Sequence, residues 1–268
     1  MLELYNFSQS TCSLKVRVCL HEKKLNWKDN RLISSHQDHL KPWYLKINPN
    51  GVVPTLIHNK NALYESSVIL EYLDEVFPEI KLSPNNLYKK SLMRSWIVFV
   101  DELLTPAIRY PSFQYGGLLK KFKKLTLTEF NLKFANRPTK ESFYKKMDKD
   151  NGFSKEILTD AFNDIIKCSK RLDNMFDQFG GPWVMGKRFG IGDIVIGPLL
   201  DRIEDLGLEQ LWEKKYPRVS NWLSKFQKRK SVIKSFYKGS RLSEQYPELN
   251  LGRNSKSNLL NTFQLNYE

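Results

Sequence analysis

The chain has 268 residues, 41% of them hydrophobic and 27% charged, which fits one large or two modest soluble domains and excludes a disordered chain. Its apolar runs, such as 96–100 and 194–200, fall far below the roughly 18 residues of a bilayer span, no secretory signal is visible, and three dispersed cysteines make neither a disulfide framework nor a zinc knuckle, so a reducing, cytoplasmic setting is expected. The formal charge of +14 invites a nucleic-acid reading, but residues 1–83 carry +1, residues 84–238 carry +13 and residues 239–268 carry 0.

Residues 2–7 alternate as a short strand and run into the polar turn 8–13. From Ser13 the period changes to that of a helix, with Leu14, Val18, Leu20 and Leu25 inward and Lys15, Arg17, Glu22 and Lys23 outward. Residues 27–33 read as a second strand, parallel to the first, which makes a right-handed βαβ unit. A polar stretch over 34–50 closes on Asn48-Pro49-Asn50-Gly51, a turn signal; 52–57 and 62–64 then read as a hairpin. Glu65-Ser66-Ser67 opens an amphipathic helix to Phe77, with Ser66 as the expected N-cap, and Pro78 stops it.

Beyond Leu87 no strand pattern is found, and 92–104, 155–179, 191–208 and 219–237 suit helices, the third broken or kinked near Gly197-Pro198. The organisation expected is an α/β N-terminal domain over 1–82, a linker over 83–86, an all-α domain over 87–238 with an insertion of mixed helix and loop over about 110–153, and a weakly ordered tail over 239–268. Residues 110–155 hold 11 basic and 4 acidic side chains, including Lys120, Lys121, Lys123 and Lys124. No nucleic-acid-binding pattern accompanies them, so a solvated face is expected; a basic rim around a site for anionic ligands is the alternative.

This order resembles the glutathione transferase superfamily, a thioredoxin-like N-terminal domain followed by an all-helical one. The matching residues are Ser10-Thr11-Cys12-Ser13, Asn48 to Pro54, Tyr64 to Leu73, and Pro182 to Gly186 followed by Gly192-Asp193-Ile194. Thr11 to Lys15 is similar to the beta-class cysteine motif and to tetrachlorohydroquinone dehalogenases. Residues 43–78, Met93 to Glu102, the insertion and Asn151-Gly152-Phe153 are similar to bacterial β-etherases that cleave aryl ethers with glutathione. One departure is visible: Gly190 stands where the family has a capping Ser or Thr, which leaves Asp193 as the side-chain part of that capping box.

Cys12, just before a helix with Lys15 and Arg17 nearby, is a sensible nucleophile, while Cys19 and Cys168 within helices read as inert. Ser13 is the second catalytic candidate, as donor to a glutathione thiolate, as cap of the helix, or both. The resemblance implies glutathione as cosubstrate, with Val53-Pro54 as a cis-proline turn pairing with its cysteinyl part, Ser66 and the helix N-terminus on the γ-glutamyl carboxylate and Glu65 on the ammonium. His39, fifteen residues before Pro54, matches the theta-class glutathione-binding histidine and has Lys41 as neighbour; surface residues with no ligand are the competing reading. Phe7, Tyr110, Phe113 and Tyr115 are candidates for an aromatic acceptor pocket, with ordinary core or insertion packing as the competing reading for Tyr110, Phe113 and Tyr115.

The activity implied is that of a homodimeric, glutathione-dependent transferase or lyase acting on an apolar or aromatic electrophile or on a glutathionyl conjugate. Two chemistries stand side by side: Cys12 forming a mixed disulfide with glutathione, or glutathione thiolate attacking carbon with Ser13 as donor. A glutathione-binding module without turnover is a third reading, and a nucleic-acid partner is not expected.

Overall fold

A computed structural model describes residues 1–135, 137–139 and 141–267. The N-terminal part runs β1 (Leu2–Asn6), α1 (Thr11–Glu22), β2 (Trp27–Arg31), two short 3₁₀ turns, α2 (Pro42–Leu45), β3 (Thr55–His58), β4 (Asn61–Tyr64) and α3 (Ser66–Val76). The four-stranded sheet has the order β2-β1-β3-β4. β2 lies parallel to β1, whereas β3 is antiparallel to both β1 and β4. This is the β-α-β, β-β-α arrangement expected from the sequence.

Among the described residues no strand follows β4. The helical part runs α4 (Leu87–Phe99), one turn of π-helix (Val100–Leu104), α5 (Thr105–Ala107), α6 (Arg109–Tyr115), α7 (Leu118–Phe122), α8 (Leu127–Ala135), α9 (Glu141–Lys145), α10 (Lys155–Phe179), α11 (Ile191–Asp205), α12 (Pro217–Gln227), α13 (Lys230–Ser235), α14 (Leu242–Gln245) and α15 (Ser257–Leu260). No described helix is long and apolar enough to cross a membrane. One apolar cluster spans both parts, from Leu4, Val16 and Leu56 to Trp96, Phe162 and Trp222.

Several expectations are corrected. The outward face assigned to α1 is buried: Lys15 and Arg17 are fully enclosed and Lys23 is nearly so. The reason is that α1 is packed against α3, α11 and α13, so each cation needs a built-in partner. Lys15 Nζ donates to Asp101 Oδ1 at 3.0 Å, Lys23 Nζ to Asp74 Oδ1 at 3.1 Å, and Arg17 to Asn6 Oδ1 and Ser8 O, each at 2.7 Å. α11 runs unbroken through Gly197-Pro198.

The helix expected over 219–237 is two, with Arg229 in extended backbone at the break, where its guanidinium donates to both Glu22 carboxylate oxygens at 2.7 and 2.9 Å. The tail folds back onto the helical part. Phe263 packs edge-on to Phe162 at 4.9 Å, and Leu242 and Leu260 are buried.

The Gly190 departure has a steric reason. Ile191 N donates to Leu82 O at 3.0 Å, and a Cβ at Gly190 would fall 2.2 Å from that same carbonyl. Asp193 supplies the remaining bonds, accepting from Gly190 N and Val184 N, each at 3.0 Å, and from Trp222 Nε1 at 2.8 Å. The stretch joining the two parts therefore docks where a capping side chain would stand.

Candidate active site

Sheet register brings three loops to one end. Tyr5 near the end of β1 pairs with Thr55 at the start of β3, and Thr55 pairs with Tyr64 at the end of β4. The turn after β1, the Val53-Pro54 segment before β3 and the Glu65-Ser66 corner after β4 consequently emerge side by side.

The first turn leads into α1. Ser10 is the N-cap, its Oγ accepting from Ser13 N at 3.2 Å; the cap expected of Ser13 is therefore made by Ser10. Cys12, second in the helix, is half-buried at the cavity wall, and the N–H groups of Thr11 and Cys12 have no bond among the described residues. Free N–H groups at a helix start can receive an anionic ligand group. Ser13 is fully buried, its Oγ has no hydrogen-bond partner among the described residues, and it does not line the cavity. Lys15, expected to support Cys12, is committed to Asp101. The turn is braced instead by two arginines: Arg17 on the carbonyls of Phe7 and Ser8, and Arg202 of α11 on Gln9 O at 2.7 Å.

The Val53–Pro54 bond is cis. Val52 O accepts from Tyr44 Oη at 2.7 Å and from Asn48 Nδ2 at 3.0 Å, and Thr55 Oγ1 lies 2.8 Å from that tyrosine oxygen. This buried network fixes the loop and leaves the Val53 N–H and C=O without partners among the described residues, at the cavity wall. Burial pushes the Tyr44 hydroxyl up to about 12, so it stays a neutral donor.

Glu65 itself, rather than Ser66, occupies the N-cap position of α3; it has φ 68° and ψ 109° and makes no side-chain cap bond. Ser66 is the first helical residue and is buried, while Glu65 is exposed; neither lines the cavity, which ends short of this corner. A side chain at positive φ is held there at a cost, a feature that concentrates at functional sites. His39 lines the cavity, edge-on to Phe7 at 5.1 Å, with Nε2 3.4 Å from Arg137 Nη1. Lys41 points elsewhere, pairing with Asp38 Oδ1 at 2.5 Å outside the cavity.

The cavity, about 670 Å³, runs from the Cys12 turn to the insertion. Phe7 and Phe113 line it as expected, joined by Phe122, Phe134, Phe143 and Tyr144. Tyr110 and Tyr115 do not: Tyr110 is wedged between Phe143 at 5.1 Å and Phe153 at 4.9 Å, and Tyr115 packs on the core. The insertion is pinned at both edges. Gln114 accepts from Phe153 N and donates to Asn151 O, filling the space a Cβ on Gly152 would take at 2.0 Å. Thr139 Oγ1 donates to Asn50 O and Gln37 Nε2 to Lys133 O, tying the far edge to the N-terminal loops.

Arg109, Arg137 and Arg202 are cavity residues that the sequence reasoning did not single out. Arg202 stands in the charged stretch Asp201-Arg202-Ile203-Glu204-Asp205 at the end of an apolar run, where it looks like a solvated cation, and Arg109 and Arg137 lie in or beside the basic segment, so none of the three had a signal. Cys19 and Cys168 are fully buried, and burial pushes both thiols up, in keeping with inert roles. Among the described residues no cluster of metal-ligating side chains occurs.

Comparison with known proteins bears on the family and the fold. Residues 9–76 match the family model for the glutathione S-transferase N-terminal domain, and residues 155–224 match that for the C-terminal domain. The chain is 29% identical to Protein LigF of Sphingobium sp. strain SYK-6 over 90% of this chain and 95% of that protein. It is 41% identical to glutathione S-transferase 1 of Dianthus caryophyllus over 78% of this chain and 80% of that protein. The crystal structure of the β-etherase LigF superposes with a TM-score of 0.78 at 27% identity, covering 88% of this chain and 98% of that one. A glutathione transferase family member from Pseudomonas fluorescens, solved with two glutathione molecules bound, shares the fold with a TM-score of 0.67 at 22% identity, covering 88% and 92% of the two chains.

Proposed function

The chain belongs to the glutathione transferase family, and from that membership we propose that it is a glutathione-dependent enzyme in which Cys12 exchanges thiols with the glutathionyl conjugate of an aromatic substrate. The observation that carries the reading is the pairing of Cys12, at the free start of α1, with the unpaired Val53 backbone in one cavity from which Ser13 is excluded.

Glutathione lies across the end of the sheet. Its cysteinyl amide pairs with the Val53 N–H and C=O as an added strand would. The start of α3 at Ser66 receives the γ-glutamyl carboxylate, Glu65 the ammonium, and His39 stands at the glycyl end. The aromatic part of the substrate extends toward Phe113 and Phe143. The Cys12 thiolate attacks the sulphur of the conjugate and the sulphur–carbon bond breaks. Its electron pair stays on the product carbon, which takes a proton from water, and a Cys12–glutathione disulfide remains. A second glutathione thiolate attacks this disulfide, leaving as oxidised glutathione and restoring the Cys12 thiolate.

The likeness to a β-etherase favours a second reading, attack of glutathione thiolate on carbon with expulsion of a phenolate. The burial of Ser13 speaks against that side chain as its thiolate donor.

A homodimer and a reducing compartment belong to the proposal. They are supported by the apolar side chains of Val68 on α3, 55% exposed, and Tyr88 on α4, 72% exposed, and by three free thiols. Glutathione-dependent reduction of a glutathionyl aryl ketone tests the reading: turnover is expected to vanish in Cys12→Ser and to survive in Ser13→Ala. No conjugate reduction by the wild type, with β-aryl-ether cleavage that survives in Cys12→Ser, would replace it with the second.

A further inference from the structure

Among the described residues lining the cavity there is no Asp or Glu, while six are cationic. Two of the six are Arg109, at the start of α6, and Arg137, on the insertion; both line this cavity. The Arg137 guanidinium lies over the rings of Phe134 at 5.3 Å and Tyr144 at 4.5 Å. Its Nε is sheltered from solvent without a hydrogen-bond partner, and no carboxylate among the described residues pairs with it. Arg109 makes neither a hydrogen bond nor an ion pair among the described residues. Burial pushes the Tyr144 hydroxyl up, and the charges of Arg137 and Arg109 pull against it.

A half-buried guanidinium on an aromatic wall, with an unused donor and no counter-charge, is an unbalanced arrangement in the free protein. A planar anion would balance it, because a guanidinium fork with a second arginine and a phenolic O–H on the same cavity wall offers donors suited to a carboxylate. The adjoining surface is a ring cluster: Tyr144 stacks on Phe134 at 4.2 Å, and Phe113 meets Phe143 edge-on at 5.1 Å. Thr139 and Gln37 tie the segment bearing Arg137 to the N-terminal loops, so the cation is held at the cavity and does not trail into solvent.

We propose that Arg137, Arg109 and Tyr144 form a carboxylate subsite and that the acceptor substrate of this enzyme is an aromatic acid, its ring on the Phe113–Phe143 cluster and its carboxylate on the two arginines. This rests on the glutathione-dependent reading above. The same donors would suit the glycyl carboxylate of glutathione, since Arg137 neighbours His39, so the experiment separates the two sources.

Calorimetry on the full chain saturated with S-methylglutathione would compare naphthoate with naphthamide, which has the same shape without the charge. Naphthoate is expected to bind at least about tenfold more tightly. The preference should fall toward unity in Arg137→Gln, fall partly in Arg109→Gln and be partly kept in Arg137→Lys, with the affinity for S-methylglutathione unchanged in all three. Equal binding of acid and amide by the wild type, or binding of neither, would overturn the proposal. So would a loss of S-methylglutathione affinity in Arg137→Gln, which would assign the arginine to glutathione. Failure of the wild type to bind S-methylglutathione at all is a separate result, and it would overturn the glutathione reading itself.

Discussion

Lys15 on α1 and Asp101 in the π-turn form an ion pair, Nζ to Oδ1 at 3.0 Å, in which the lysine side chain is wholly enclosed and the carboxylate is 36% exposed. The pair joins the helix that carries Cys12 to the helical part of the molecule, and its asymmetry makes an unusual prediction. Removing the aspartate strands a buried ammonium, whereas removing the lysine leaves a carboxylate that water can reach. Asp101→Ala should therefore cost about 3 kcal/mol or more, and Lys15→Met clearly less. Urea unfolding of both variants checks the order.

A second buried pair holds the linker. Asp74 accepts from Lys23 Nζ, from Leu82 N at 2.6 Å and from Ser83 N at 3.1 Å, and Lys23 also donates to Ile80 O at 2.7 Å. Burial alone would raise the Asp74 carboxyl, but the bonds from Ser83, Leu82 and Lys23 outweigh it and hold it below its ordinary value of 3.8. A carboxyl depressed in the folded state contributes stability that is present above that ordinary value and is lost as pH falls through the folded one. Wild-type stability should consequently drop more steeply below about pH 4 than that of Asp74→Asn, as followed by denaturant unfolding across pH.

Gly190 gives a prediction opposite to what helix capping suggests. Restoring the family's serine there would ordinarily stabilise α11. With Leu82 O 2.2 Å from the added Cβ, the linker must move, so Gly190→Ser should destabilise by about 1–3 kcal/mol. A higher melting temperature for Gly190→Ser would contradict the steric account.

Glu65 separates stability from binding. At φ 68° its backbone favours glycine. Glu65→Gly should be more stable than Glu65→Ala by about 1 kcal/mol, while both lose affinity for glutathione together. Melting curves and glutathione titrations of the two variants test this; a Glu65→Ala variant with unchanged glutathione affinity would remove the residue from the site.

The parts of the fold visible in the sequence are those governed by local chemistry. Alternation gave β1, Gly51 and its neighbours the turn, and period 3.6 gave α3 and α10 nearly to the residue. What could not be read depends on contacts across the molecule. Lys15, Arg17 and Lys23 look like a solvated face until α11 and α13 cover them, and Arg229 at the helix break pairs with Glu22, 207 positions away. Ser10 and Ser13 compete for one cap, and nothing in their order favours Ser10. In the cavity, Cys12, Val53 and His39 were legible because short motifs carry them, whereas Arg109 and Arg137 matter through where the insertion docks.

The central claim is that Cys12 takes up glutathione. Intact-mass measurement after incubation with oxidised glutathione, and separately with a glutathionyl aryl ketone, tests it most directly. The account predicts a single glutathione adduct on the wild type, mapped to Cys12 and absent from Cys12→Ser, with the enclosed Cys19 and Cys168 unmodified. An unmodified wild-type protein, together with β-aryl-ether cleavage that survives in Cys12→Ser, would contradict it and make glutathione itself the nucleophile.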